Sequence, residues 1–125
     1  MKVLICEDNF VVALDMQEQV REIGHEPVGF VTRSSECLSA VERTRPDVVL
    51  VDLSLADGRT GPKLLETLRE MGVPSIVVSG EHGFLPDHHG AVAVIEKPLH
   101  VRQLVRALSL VPDDPGLGQT EPEAT

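Results

Sequence analysis

Residues 47–53 read Asp-Val-Val-Leu-Val-Asp-Leu, four apolar residues in unbroken succession between two acids. A strand with one wet face alternates apolar and polar side chains, whereas a strand covered on both faces in a parallel sheet reads as a continuous apolar run. The stretch therefore predicts a central, fully covered strand. Upstream of it, Lys2 to Cys6 give a shorter buried strand. The segment from Asn9 to Ile23 follows with apolar residues at Val12, Met16, Val20 and Ile23, the spacing of an amphipathic helix, and Gly24 stops it as a left-handed cap. Pro27 to Val31 supply a second strand. Ser34 or Ser35 caps the next helix, which turns Leu38 and Val41 inward and ends at Arg45-Pro46. Downstream, Asp57-Gly58 makes a turn and Pro62 opens a helix carrying Leu64, Leu65, Leu68 and Met71, closed by Gly72. Ser75 to Val78 form a fourth strand and Val92 to Ile95 a fifth, and Val101, Leu104, Val105 and Leu108 mark the inner stripe of a final helix.

Five strands separated by connections too long for hairpins require crossover connections, which are right-handed, and hence a parallel sheet with helices on both faces. The fold class is α/β, doubly wound. At 125 residues the chain is one ordinary domain that can bury a core without disulfides or a structural metal. Residues 1–111 form that domain. Residues 112–125, rich in Pro, Gly and acids with almost nothing to bury, read as a flexible tail. The formal net charge of -9 argues against direct contact with nucleic acid, which draws on cationic side chains. No apolar run approaches a membrane span and no signal segment is visible, so the expected compartment is the cytoplasm. Cys6 and Cys37 lack any metal-binding spacing and are read as reduced, buried thiols.

In an open parallel sheet, ligands bind beyond the carboxyl ends of the strands. Strand one ends there in Glu7-Asp8, strand three in Asp52, strand four in Ser79-Gly80 and strand five in Glu96-Lys97-Pro98. Each acid alone is an ordinary cap or turn residue, and the lysine alone an ordinary surface group. Together, clustered carboxylates repel unless a cation compensates, and hard oxygen ligands favour a magnesium ion that keeps several waters. A carboxylate is also a competent nucleophile toward phosphorus when metal and lysine neutralise the transferred group, which makes Asp52 on the central strand the natural acceptor.

With these residues in place, the sequence from Lys2 to about Leu110 closely resembles the response regulator receiver domains, also called CheY-like. The acidic pair is Glu7-Asp8, the phosphoacceptor Asp52, the switch hydroxyl Ser79, and the lysine-proline pair Lys97-Pro98. The resemblance implies strand order 2-1-3-4-5 and phosphoryl transfer from a sensor histidine kinase or a phosphotransfer protein to Asp52. It implies Mg2+, with Mn2+ as a substitute, held by Asp8, Asp52 and the backbone carbonyl of Ser54, with Glu7 acting through water. Lys97, Ser79 and Gly80 would contact the phosphoryl group, Ser54 and Glu81 would tune its lifetime, and the Lys97-Pro98 peptide would be cis. The signal would pass to a downstream protein by a change of shape, and the chain would be a phosphoacceptor rather than an enzyme acting on a separate substrate.

Two departures from the family pattern stand out. The aromatic residue usual three positions before the lysine is Val94 here, so coupling by an aromatic rotamer is not available at that site. The stretch from Ser79 to Lys97 is short and punctuated by Gly83, Pro86 and Gly90, which reduces the helix between strands four and five to a turn or two. With the run Leu55 to Gly61 and with Val78-Ser79-Gly80, this looks like the FAT GUY subgroup of single-domain receivers, which implies a histidine kinase of the HWE type or a relative as donor. His82, His88 and His89 in the same loop are read as solvated residues. A dehalogenase-type phosphatase would need a second Asp where Ser54 stands. A flavodoxin-like carrier would meet repulsion between its flavin phosphate and Glu7-Asp8. The remaining rivals are a receiver-like module that binds partners without phosphate, and a receiver belonging to a larger protein.

Overall fold

A computed structural model describes residues 1–55, 58, 60–80 and 90–112. The elements are β1 (Lys2–Cys6), α1 (Phe10–Glu22), β2 (Glu26–Val31), α2 (Ser34–Thr44), β3 (Val48–Val51), α3 (Gly61–Glu70), β4 (Ser75–Ser79), β5 (Ala93–Glu96) and α4 (Val101–Leu108). The five strands form one sheet in the order β2-β1-β3-β4-β5, and every neighbouring pair is parallel. This is the doubly wound α/β arrangement expected from the sequence, with β3 at its centre.

The run Val48–Val51 shows why an unbroken apolar stretch was needed. Side chains alternate across a strand, so Val48 and Leu50 join one core cluster while Val49 and Val51 join the other. The first cluster also holds Val3, Ile5, Ile76 and Val78 of the sheet, packed under Ala13, Met16 and Val20 of α1 and Leu104, Ala107 and Leu108 of α4. The second holds Leu4, Cys6 and Val77, covered by α2 through Cys37, Ala40 and Val41 and by α3 through Leu64, Leu65 and Leu68. Both cysteines are buried, and neither forms a disulfide. Among the described residues, the buried polar side chains Glu7, Asp52, Ser75 and Ser79 all lie at strand ends.

Several expectations require correction. The buried stripe of α4 is Leu104, Ala107 and Leu108, whereas Val101 and Val105 are 40% and 49% exposed. Both stripes share Leu104 and Leu108, and the small Ala107 lets the helix settle with its own side toward the sheet. In α1 the same thing happens: Ala13 is fully buried, and Val12 and Ile23 are only partly covered. Leu38 of α2 is likewise partly buried, with Cys37 and Ala40 taking the inner positions. Ser34 is the first helical residue of α2 rather than its cap, a position held by the extended Arg33, whose carbonyl accepts from the amides of Glu36 and Cys37. Met71 lies past the end of α3 and is exposed. The fifth strand starts at Ala93. The shortened helix expected between β4 and β5 falls on residues 81–89, and most of the proposed tail on 113–125, both outside the described residues.

Candidate functional site

Backbone ladders running past the strand ends place each functional side chain. Asp52 N–H donates to Cys6 C=O (2.9 Å), continuing the pairing of β1 with β3, and Glu7 N–H donates to Val31 C=O (3.0 Å) at the end of β2. Lys97 N–H donates to Ser79 C=O (3.3 Å), continuing β4 with β5. The result brings Glu7, Asp8, Asp52, Ser79 and Lys97 to one edge of the sheet.

Carboxylate oxygens of Glu7, Asp8 and Asp52 lie within 4.8 Å of one another. Glu7 is fully buried, Asp52 is 5% exposed, and Asp8 faces solvent, so the acidic pocket opens on the Asp8 side. Lys97 Nζ sits between the two buried acids, 2.7 Å from Glu7 Oε1 and 3.1 Å from Asp52 Oδ2. The contact with Asp52 is a hydrogen bond, whereas the one with Glu7 Oε1 is a charge contact without hydrogen-bond alignment. Ser54 N–H donates to Asp52 Oδ1 (3.2 Å), and Asn9 N–H donates to Glu7 Oε2 (3.0 Å). Asn9 also caps α1, its Oδ1 accepting from Val12 N–H at 3.1 Å. Its amide was not singled out in the sequence, although an Asn just before an apolar-periodic helix is a cap signal.

One ammonium between two buried carboxylates does not neutralise both. Burial pushes the Glu7 carboxyl from 4.5 up to about 7; Lys97 and the Asn9 amide oppose the rise, and the Asp52 charge adds to it. For Lys97, burial pulls the pKa down, but contacts with Glu7 and Asp52 and their charges outweigh it, and the ammonium is held above its ordinary value. A pocket with excess buried negative charge and a buried acceptor oxygen lacking an aligned donor suits a hard divalent cation, since all three side chains offer hard oxygen.

The raised pKa of Glu7 has a measurable sign. The folded chain binds this proton more tightly than the unfolded chain, so the group's contribution to stability is complete below about pH 4.5 and is lost as the pH rises through about 7. In chelator, Glu7→Gln is expected to match the native chain at low pH and to exceed its stability above neutrality by on the order of 2 kcal/mol. Parallel urea midpoints across that range would remove the assignment.

The remaining predicted residues are placed as follows. Ser79 is buried as the last residue of β4, and Gly80 beyond it is exposed. The Lys97–Pro98 peptide is cis. Val94 on β5 is 38% exposed. Glu81, Asp57 and the loop histidines His82, His88 and His89 lie outside the described residues. No helix among the described residues is long and apolar enough to cross a membrane.

The sequence profile of the response regulator receiver domain matches residues 3–109. The chain belongs to the response regulator receiver family. This receiver is 34% identical over 80 residues to the phyllosphere-induced regulator PhyR of Methylorubrum extorquens, covering 62% of this chain and 30% of that protein. It is 26% identical over 113 residues to the transcriptional regulatory protein PdtaR of Mycobacterium tuberculosis, covering 87% of this chain and 55% of that one. The receiver thus spans about a third to a half of the length of these relatives. Among solved structures, a CheY-like receiver domain from Methylobacillus flagellatus superposes with a TM-score of 0.79 at 25% identity, covering 90% of this chain and 98% of the other. The receiver domain of PhyR from Erythrobacter litoralis gives 0.77 at 26% identity, with 88% of each chain covered. The acidic pocket of Glu7, Asp8 and Asp52 is therefore the pocket of a receiver in two-component signalling.

Proposed function

We propose that the chain accepts a phosphoryl group on Asp52 from a phosphohistidine donor, with Mg2+ bound by the acidic pocket, and signals by the change in shape that follows. The observation that carries this reading is Asp52 at the end of the central strand, within 4.8 Å of two further carboxylates and 3.1 Å from Lys97 Nζ. Asp8, Asp52 and the Ser54 carbonyl would hold the cation, with Glu7 acting through water. When bound, Mg2+ supplies positive charge to the oxygens of the transferred group.

An Asp52 oxygen attacks phosphorus as the phosphorus–nitrogen bond to the donor imidazole breaks, and that electron pair leaves with the imidazole, which takes up a proton. Ser54 N–H holds Asp52 Oδ1 and so orients the carboxylate. Lys97, already directed into the pocket, neutralises charge on the arriving group. Ser79 and Gly80 at the end of β4 would meet its oxygens, and Ser54 and Glu81 would tune its lifetime. With Val94 in the place of an aromatic side chain, the signal passes by a route other than an aromatic rotamer at that position.

The short β4–β5 interval, the run Leu55 to Gly61 and the likeness to PhyR and to a PhyR receiver domain support a receiver of the FAT GUY type whose donor is an HWE-type histidine kinase. The output is a downstream protein partner.

Acetyl phosphate or phosphoramidate, with and without Mg2+, tests the reading by intact mass. The expected result is a gain of one phosphoryl group that requires the cation, with Mn2+ able to replace Mg2+. No gain from either donor would favour a module that binds its partners unphosphorylated.

A further inference from the structure

We propose that Gly61 is a positioning residue for the cation site, fixing the peptide that presents the Ser54 carbonyl; this rests on the phosphoacceptor reading above. Gly61 opens α3 and is buried. A Cβ built on it would stand 2.5 Å from Leu53 Cα, 2.8 Å from Leu53 O and 3.0 Å from Leu53 C. All three are backbone atoms, so no side-chain rotation relieves the overlap, and the requirement is for space rather than for left-handed backbone. The same close approach allows Gly61 N–H to donate to Leu53 C=O at 3.2 Å.

Two residues further on, Leu55 and Gly58 exchange backbone hydrogen bonds of 2.9 Å in each direction. Ser54 is therefore flanked by two anchored residues, Leu53 tied to the start of α3 and Leu55 tied to Gly58. Its own N–H is engaged with Asp52 Oδ1. The plane of the Ser54–Leu55 peptide, and with it the direction of the Ser54 carbonyl, is set by these three attachments before any cation arrives.

Ordinary carbon contacts are ~3.5–4.0 Å, so an alanine at position 61 must displace Leu53 or the start of α3 by about 1 Å. Mg2+ requires near-octahedral oxygens at ~2.0–2.1 Å, whereas Ca2+ accepts irregular shells at ~2.3–2.6 Å. Displacing one carbonyl therefore costs Mg2+ more than Ca2+. A general loss of stability has no reason to discriminate between the two ions.

The experiment is calorimetric titration of the full chain with Mg2+ and with Ca2+, comparing native, Gly61→Ala and Val20→Ala, the last a core truncation in α1 away from the site. For Gly61→Ala, Mg2+ affinity is expected to fall about 10-fold or more, as on loss of a supporting contact to a metal ligand, with a smaller fall for Ca2+. Val20→Ala should lower the urea midpoint and leave the Mg2+ to Ca2+ affinity ratio at the native value. Native binding with an unchanged ratio in Gly61→Ala would overturn this inference alone. A native chain that binds neither ion would overturn the phosphoacceptor reading and this inference with it. If the alanine chain does not fold, amide exchange of the native chain in chelator decides. The Gly61, Leu55 and Gly58 amides should be protected about 10-fold or more over an unstructured chain, and unprotected amides would overturn the proposal.

Discussion

Asp52→Asn is expected to abolish the cation-dependent mass gain completely while leaving a folded chain. Asparagine has nearly the same shape, and its carbonyl oxygen can still accept the Ser54 amide that now bonds Asp52 Oδ1 at 3.2 Å. What disappears is the nucleophile, because an amide oxygen does not form a stable bond to phosphorus under these conditions. The change also removes one of two negative charges that share Lys97, so the Glu7 carboxyl should titrate closer to its ordinary value. Intact mass and a pH titration of stability on the same preparation separate loss of chemistry from loss of fold. A mass gain that persists in Asp52→Asn would locate the acceptor elsewhere, with the exposed Asp8 the first residue to examine.

Lys97→Ala should split two properties that a simple structural defect would move together. The rate of phosphorylation is expected to fall about 100- to 1,000-fold, the usual cost of losing one preorganised group that stabilises developing charge. Affinity for Mg2+ is expected to rise, because Nζ at 2.7 Å from Glu7 and 3.1 Å from Asp52 occupies the carboxylates that a divalent cation needs. In chelator the same variant leaves two buried acids uncompensated and should be less stable than the native chain at neutral pH, with stability restored by added Mg2+. Stopped-time phosphorylation and Mg2+ titration give both numbers. Weaker Mg2+ binding in Lys97→Ala would show that the lysine organises the pocket rather than competing for it.

Much of this architecture was legible before the structure. The run Val48–Val51 placed the central strand because only burial on both faces tolerates such a sequence, and the strand bounds of Lys2–Cys6 followed from the same rule. The site was legible because strand-end residues in a parallel sheet share one edge whatever their separation in the chain. The helix faces were read less well, for one repeated reason. Counting large apolar residues passed over Ala13, Ala40 and Ala107, and small residues are the ones that set how closely a helix approaches a sheet. Gly61 was invisible as a contact because its role is to have no side chain against Leu53, and pattern reading sees only the side chains that are present. The raised pKa of Glu7 was equally hidden, since it comes first from how deeply the fold buries that carboxyl and then from the neighbouring Lys97, Asn9 and Asp52.

The pocket draws Glu7 from the end of β1, Asp52 from β3, Ser79 from β4 and Lys97 from β5, and the Lys97–Asp52 contact alone spans 45 residues of chain. No single strand or helix of this sequence carries the whole pocket. Local melting at any one of those strand ends would therefore remove one member of the pocket and leave the others in place.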